Sequence, residues 1–225
     1  MAAKSDLTLV IGNKAYSSWS LRPWLLLRES GIPFQEILIP LYQPDSPRRI
    51  RERSPSGRVP ALIDGATTIW DSLAICEYVA ERFPEARGWP EDGVARAIAR
   101  SVSAEMHSGF ASVRTEMPMN VRGRRSGVTP SPAARNEIDR ILEIWSDCRR
   151  RFGASGKFLF GRFGIADAMY APVVTRFHTY GIELTGAARD YSEAVQALAS
   201  LQEWSKAGRA EPAVITASER GTPVA

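Results

Sequence analysis

The stretch "YSSWSLRPWLLL", Tyr16–Leu27, decides the fold, and it follows "LTLVIGN", Leu7–Asn13, which has the apolar composition of a strand. Three serines, Ser17, Ser18 and Ser20, precede an apolar run with helical spacing. A helix start leaves N–H groups without partners, so one serine hydroxyl is expected to cap this helix. Three hydroxyls are more than capping requires. Because a helix start also carries partial positive charge, the segment is equally a candidate site for a thiolate, a carboxylate or a phosphate.

Pro23 limits where this helix can begin, because the missing N–H of proline is harmless only in the first turn. Either Ser20 caps the helix, or the helix begins earlier and kinks at Pro23. Gly31 is the expected stop signal at the other end.

The first third of the chain alternates strand and helix patterns, in the order β-α-β and then β-β-α. Asp64-Gly65 is a hairpin signal between the last two strands, and Pro84 ends the helix that follows them. Between the two halves, Pro44–Gly57 is predicted to be a polar loop with one irregular helical turn. The expected strands are Leu7–Asn13, Phe34–Leu41, Val59–Gly65 and Thr67–Asp71.

A linker rich in proline and glycine, Pro84–Gly93, separates this part from a region in which no strand pattern occurs. Four helical patterns follow the linker, and they begin at Val94, Ala133, Gly164 and Tyr191. The predicted fold class is therefore α/β plus all-α, with a small α/β domain over residues 1–84, a linker over 85–93 and an all-helical domain over 94–225.

Composition excludes several classes of protein. The 225 residues have a net charge of +4 and 44% hydrophobic residues, which is typical of a soluble globular chain. The arginine runs Arg122–Arg125 and Arg149–Arg151 accompany no nucleic-acid-binding motif, so nucleic acid is not an expected partner, although a mild positive field would suit a small anionic substrate. No membrane span or signal peptide is predicted. Cys76 and Cys148 lie far apart and are expected to be reduced thiols of a cytoplasmic protein.

Two further motifs stand where loops meet regular elements. Val59-Pro60 opens a strand, and a cis bond there would leave the main chain of Val59 free to pair with an extended ligand, whereas a trans proline at a strand start is the simpler alternative. Asp71-Ser72 stands at a helix start, where it is expected to cap the helix or to favour a bound carboxylate.

This order of motifs, followed by helices alone, resembles the cytosolic glutathione transferase family over essentially the whole chain. The resemblance implies a thioredoxin-like N-terminal domain. The first segment resembles the serine-type active-site segment of bacterial members, nearest in pattern to the zeta and tau-like classes. "GRVPALID" resembles the family's Val-cis-Pro element, "DSLAICEYV" its acidic-Ser element, and "GIADAMYAPVVTRF" its structural capping box, with Asp167 as the acid.

The resemblance also implies roles for individual residues. Ser17 stands five residues before Arg22 and would be the catalytic hydroxyl, donating to the sulfur of glutathione as co-substrate. The choice among Ser17, Ser18 and Ser20 stays open at this stage. The other glutathione contacts would come from Arg58 at the glycine end, Val59 at the cysteinyl main chain, Asp71 at the ammonium and Ser72 at the γ-glutamyl carboxylate.

A small hydrophobic electrophile would bind between the domains, with Trp19 as one wall. The spacing of His107, Phe110 and Arg114 places them on one helical face that is expected to border the same pocket, and ordinary packing is the alternative for that face. No metal is expected. The resemblance implies a homodimer in the cytoplasm.

Two departures from the family pattern affect the functional hypotheses. Trp19 stands where zeta-type proteins usually carry a cysteine, which weakens an inference of maleylacetoacetate isomerase activity. Gly164 opens the capping box in place of serine or threonine, so Asp167 is expected to accept the Gly164 N–H alone. Transfer of glutathione to an apolar electrophile is the first hypothesis. The alternatives are a glutathione-dependent isomerase or peroxidase, and a non-catalytic glutathione- or ligand-binding protein.

Overall fold

The computed structural model describes residues 7–224, and the first part of this range is a four-stranded sheet with flanking helices. Its elements are β1 (Leu7–Ile11), α1 (Ser18–Glu29), β2 (Gln35–Leu38), α2 (Ser46–Arg51), β3 (Ala61–Asp64), β4 (Thr67–Trp70) and α3 (Ser72–Arg82). The strand order is β2-β1-β3-β4, in which β1 pairs parallel with β2 and the other pairs are antiparallel. The predicted β-α-β, β-β-α order and the thioredoxin-like fold are confirmed.

Helix α1 is buried on nearly every side, which explains why its sequence is apolar without a polar face. Leu21, Trp24 and Leu25 are completely buried in the main hydrophobic core. The helix packs against α3 and also against α7 (Ile165–Tyr180) of the helical part. Since both parts of the chain hold it, the start of α1 has a fixed position between them.

Helices dominate the second part of the chain, as predicted. They are α4 (Gly93–Ser108), α5 (Ala111–Glu116), α6 (Pro132–Phe152), α7 (Ile165–Tyr180), α8 (Gly186–Gln196) and α9 (Ala199–Ala210). No helix within residues 7–224 is long and apolar enough to cross a membrane. The first six residues and residue 225, at the ends of the predicted domain ranges, lie outside the described residues, and the domain boundaries stay a prediction.

The helical pattern that begins at Val94 is not one helix, because the chain breaks between α4 and α5. Gly109 ends α4 in an extended conformation, and a Cβ at this glycine would lie 2.9 Å from the carbonyl oxygen of Glu105. Phe110 then adopts a left-handed conformation with φ of 59°. The pattern that begins at Tyr191 is likewise divided, between α8 and α9.

The expectation that no strand follows the linker is wrong in one place. Two short strands, β5 (Arg125–Ser126) and β6 (Thr222–Pro223), pair antiparallel. Two residues are too few to give a period-2 pattern, so the sequence carries no signal for this pair. The pair joins the C-terminal segment to the loop between α5 and α6.

The capping interaction at the start of α7 is confirmed. Asp167 accepts the Gly164 N–H through Oδ2 at 2.9 Å and the Leu159 N–H through Oδ1 at 3.0 Å. Burial raises the pKa of this carboxyl to about 7. Asp167 therefore joins the preceding loop to the helix in the interior of the second part.

The C-terminal segment also holds the residues that lead into α1. Glu211 follows α9, and its carboxylate accepts the main-chain N–H groups of Lys14 and Ala15 at 2.7 and 3.1 Å. The indole N–H of Trp204 donates to the Lys14 carbonyl oxygen at 2.8 Å. Both main-chain groups of Lys14 are thus fixed from the far end of the sequence, immediately before the α1 start.

Replacing Glu211 by glutamine is expected to lower the free energy of unfolding by about 1–3 kcal/mol, because an amide offers one acceptor oxygen to two buried N–H groups. Urea denaturation measures this loss. Glu203→Gln is the matched control, since Glu203 forms an exposed pair with Arg28 and its loss should cost less than about 1 kcal/mol. Equal losses in the two variants would contradict the fixing role of Glu211.

Candidate functional site

The three serine hydroxyls at the α1 start form other hydrogen bonds instead of capping the helix. The helix begins at Ser18, and Ser17 precedes it without a side-chain cap. Ser17 donates from Oγ to Ser20 Oγ at 2.8 Å, and Ser20 Oγ also accepts the Gly12 N–H at 3.1 Å. Ser18 Oγ accepts from Arg176 Nη2 at 3.2 Å. The expectation that a serine caps this helix is wrong, because Ser17, at the cap position, donates to the Ser20 hydroxyl instead.

Pro23 lies inside α1. Of the two alternatives for this helix, the one with Ser20 as the cap is wrong, and the helix begins earlier. Unpaired N–H groups remain a property of the helix start, so its partial positive charge does not depend on which serine precedes it.

An open cavity of about 580 Å³ lies where the α1 start, the α3 start and the end of α4 meet. Its lining residues are Trp19, Ser56, Arg58, Val59, Pro60, Trp70, Asp71, Ser72 and His107. The structure thus brings together seven of the residues that the sequence singled out. Ser17, Phe110 and Arg114 are not among the lining residues. Residues 7–224 contain no group of three or more His, Cys, Asp or Glu side chains that could hold a metal ion.

Asp71 caps α3, as expected, and also faces the cavity. Its Oδ1 accepts the N–H groups of Leu73 and Ala74 at 2.8 and 3.3 Å. Its Oδ2 lies 3.2 Å from Nε2 of His107. Burial lowers the pKa of His107, which keeps the imidazole neutral at pH 7 and leaves the negative charge of Asp71 available to a cation.

Ser72 connects the cavity to a buried arginine. Arg22 is completely buried in α1, and its Nη1 donates to Ser72 Oγ at 3.2 Å. Because Ser72 Oγ accepts this bond, its own hydroxyl hydrogen can be donated to another acceptor. The Arg22 guanidinium also lies over the indole of Trp19, 4.3 Å from the ring centre. The cavity floor therefore combines a hydroxyl donor with a buried positive charge.

The Val59–Pro60 peptide bond is cis, which confirms that expectation and sets aside the trans alternative. Val59 precedes β3, and no residue in the range 7–224 pairs with its main-chain N–H or C=O. Val59 lines the cavity, so an extended ligand bound there could pair with its main chain.

The expected helical face of His107, Phe110 and Arg114 does not exist, because the helix breaks at Gly109. Phe110 is buried in the main core. Arg114 belongs to α5, and its Nε donates to the Gly109 carbonyl oxygen at 2.9 Å. His107 alone of the three lines the cavity.

Sequence reasoning did not find several residues of this region. Ser56 and Trp70 line the cavity without any pattern that marks them. From the sequence alone, Arg22 had no role beyond its spacing from Ser17, and Arg176 had no role. Each is a charged residue within an apolar helical run, and that contrast is the signal that could have identified both.

Comparisons with known proteins agree with this geometry. The family model for the N-terminal domain of glutathione S-transferases matches residues 16–82, and that for the C-terminal domain matches residues 96–207. A solved glutathione transferase homolog from Burkholderia gl BGR1, with bound glutathione, is 26% identical, with a TM-score of 0.68 over 91% of this chain and 98% of that one.

The curated relatives of this chain carry names that indicate different functions. A maleylacetoacetate isomerase of Rattus norvegicus is 28% identical, covering 75% of this chain and 76% of the relative. A stringent starvation protein A homolog of Haemophilus ducreyi is 24% identical, covering 72% of each chain.

A thioredoxin-like domain, a helical domain and a cavity between two helix starts define the architecture of a glutathione-dependent enzyme. The chain belongs to the glutathione S-transferase family, and it is a glutathione transferase enzyme on that basis.

Proposed function

We propose that the cavity binds glutathione as a co-substrate and lowers the pKa of its thiol for attack on a small electrophile. The observation that carries this proposal is the meeting of the α1 start, the α3 start and the unpaired main chain of Val59 around one cavity. Helix starts favour anions, and an unpaired main chain beside a strand favours an extended peptide. Glutathione is an extended peptide that carries two carboxylates, so it matches both preferences.

The proposed seating follows the lining residues. Ser72 donates its hydroxyl hydrogen to the γ-glutamyl carboxylate, at the N-terminus of α3. Asp71 receives the ammonium through Oδ2. Val59 pairs with the cysteinyl main chain. Arg58, which is exposed at the rim, meets the carboxylate at the glycine end.

Ser17 is proposed as the donor to the sulfur. A hydroxyl hydrogen rotates at little cost, so the bond between Ser17 and Ser20 can reverse when a thiolate arrives. The Gly12 N–H then donates to Ser20, Ser20 donates to Ser17, and Ser17 donates to the sulfur. Such a chain polarises each hydroxyl in turn. A hydrogen bond to a charged group contributes about 1.5–3 kcal/mol, enough to lower a thiol pKa by about 1–2 units.

Transfer of glutathione is our first candidate reaction, because the proposed donors, Ser17 and the α1 start, stabilise a thiolate. The lining residues of the cavity include no cysteine. Isomerisation of an unsaturated acid through a transient glutathione adduct is the second candidate, and the likeness to maleylacetoacetate isomerase supports it. Peroxidase activity and non-catalytic binding remain testable with the same protein. Turnover of 1-chloro-2,4-dinitrobenzene with glutathione separates a transferase from a carrier.

We further propose a homodimer in the cytoplasm, with residues 85–93 as the linker between domains 1–84 and 94–225. Family membership supports the dimer, and the two free, buried cysteines within the described residues suit a reducing compartment. Sedimentation velocity tests the dimer directly, since a monomer at micromolar concentration would contradict it.

Ser72→Ala is expected to weaken glutathione binding about 10- to 100-fold, because a hydrogen bond to a carboxylate is lost at the cavity floor. Calorimetric titration measures the dissociation constant. Ser101→Ala is the control, since Ser101 is exposed on α4 and bonds only the Ala97 carbonyl oxygen. A wild-type protein that does not bind glutathione would refute the proposed function.

A further inference from the structure

Three arginine side chains meet beside the cavity, behind the indole of Trp19. The guanidinium carbons of Arg22 and Arg114 lie 4.3 and 4.8 Å from the centre of that ring. Arg176, on α7, reaches the same region from the other side, where it donates to Ser18 at the α1 start. Arg22 and Arg176 are 0% and 4% exposed. Three positive charges are thus concentrated in one interior region.

The hydrogen-bond acceptors of this arginine cluster (Arg22, Arg114 and Arg176) are all neutral within the described residues. They are the Ser72 and Ser18 hydroxyls and the Met106 and Gly109 carbonyl oxygens. No member forms a salt bridge in residues 7–224. Five of the guanidinium nitrogens are buried without a partner in that range: Arg22 Nε and Nη2, Arg114 Nη1, and Arg176 Nε and Nη1.

The carboxylates nearest the cluster form no ion pair with it. Asp71 caps the α3 start and faces His107. Glu137 accepts the N–H groups of Ser112 and Val113 at the α5 start. No carboxylate within the described residues pairs with Arg176, and burial together with the charge of Arg114 lowers its pKa to about 9. Buried charges without a paired counter-charge are unfavourable, so the cluster is able to bind an anion.

We propose that this part of the cavity is an anion site and that the electrophile carries a carboxylate, which the arginine cluster neutralises. The inference rests on the proposed function and narrows its substrate class from small electrophiles in general to those that carry a carboxylate. Trp19 lines the cavity, and Arg22 and Arg114 lie over its ring. A carboxylate bound at the edge of this indole is the anion that Arg22 and Arg114 can acquire from the cavity, while the organic part of the substrate contacts the ring.

Glutathione is the other source of a carboxylate. Its γ-glutamyl group would neutralise Arg22 through Ser72, but one carboxylate does not balance three guanidinium groups. Arg176 donates to Ser18 and not to Ser72, the proposed γ-glutamyl contact. The charge count therefore favours a second anion that is present together with glutathione.

Calorimetric titration of the full chain, saturated with S-methylglutathione, tests this with an unreactive pair of probes. We expect 3,5-dinitrobenzoate to bind at least tenfold more tightly than its neutral isostere 3,5-dinitrobenzamide, because only the benzoate supplies the missing charge. Arg176→Met should reduce this preference to less than threefold. Equal affinities of the two probes for the wild type would overturn the proposal.

The same titration separates the two sources of the anion. If S-methylglutathione and the benzoate exclude one another, the cluster binds the carboxylate of glutathione, and the assignment to the electrophile is wrong. If S-methylglutathione does not bind, the proposed function fails. In that case the titration is repeated without S-methylglutathione. The preference for 3,5-dinitrobenzoate over 3,5-dinitrobenzamide then still decides whether the cluster is an anion site.

Thermal unfolding without ligand distinguishes an anion-binding role of Arg176 from a structural role. Arg176→Met removes an unpaired buried charge, so the Tm should stay the same or rise. Arg149→Met is the matched control. Its guanidinium donates to the carbonyl oxygens of Gly153, Gly156 and Phe158, and its loss should lower the Tm. An equal fall in both variants, with the benzoate preference intact, would make Arg176 structural and overturn the proposal.

Discussion

Asp167→Ala is expected to lower the free energy of unfolding by about 3 kcal/mol or more, the largest stability effect of any single polar substitution that we predict. The substitution leaves the N–H groups of Leu159 and Gly164 without their acceptor in the interior. Urea denaturation at pH 7 measures the loss. Asp147→Ala is the control, since Asp147 pairs with arginines at the surface and its loss should cost less than about 1 kcal/mol.

The same carboxyl gives stability a dependence on pH of known sign. Its pKa is raised to about 7 in the folded chain by burial, from about 3.9 when unfolded. The folded state therefore holds a proton that the unfolded state has released, and this contribution to stability is lost as the pH rises through 7. The advantage of the wild type over Asp167→Asn should be larger at pH 5 than at pH 8. An advantage that grows with pH would contradict the raised pKa.

Ser17→Ala is expected to lower kcat/KM for glutathione conjugation about 10- to 100-fold at pH 7, the largest effect on activity that we predict. The hydrogen bond from Ser17 to the thiolate contributes about 1.5–3 kcal/mol, and about 1.4 kcal/mol corresponds to a factor of ten. Steady-state kinetics with 1-chloro-2,4-dinitrobenzene measure the change. Part of the activity should return at high pH, where the thiol ionises without help.

The neighbouring serines serve as matched controls for this prediction. Ser20→Ala should have an intermediate effect, because it removes the middle member of the chain from the Gly12 N–H to Ser17. Ser18→Ala should have a smaller effect on conjugation of a neutral electrophile, since Ser18 is not part of the chain of hydroxyls that ends at Ser17. A loss in Ser18→Ala that equals or exceeds the loss in Ser17→Ala would assign the donor role to Ser18.

Local chemistry made much of the fold and part of the cavity predictable. The hairpin at Asp64-Gly65, the Asp71 cap and the link between Asp167 and Gly164 each depend on residues close in sequence. Such interactions leave patterns that can be read without coordinates. The cis bond at Val59 was predictable only through the family resemblance.

Several of the remaining features depend on residues that are far apart in sequence. Ser18 accepts from Arg176, 158 positions away. Lys14 and Glu211 are 197 positions apart. Such contacts leave no local pattern. The break at Gly109 and the bond from Ser17 to Ser20, which replaces the predicted cap, are local, but helical periodicity reveals neither of them.

The ultraviolet absorbance of the thiolate of bound glutathione, followed against pH, tests the central claim most directly. The thiol of free glutathione should titrate near the value of an ordinary cysteine, about 8.5. In the wild type we predict a pKa lower by about 1–2 units, and in Ser17→Ala a return of most of that difference. Glutathione that binds to the wild type but titrates at the pKa of the free thiol would contradict thiolate stabilisation at this site.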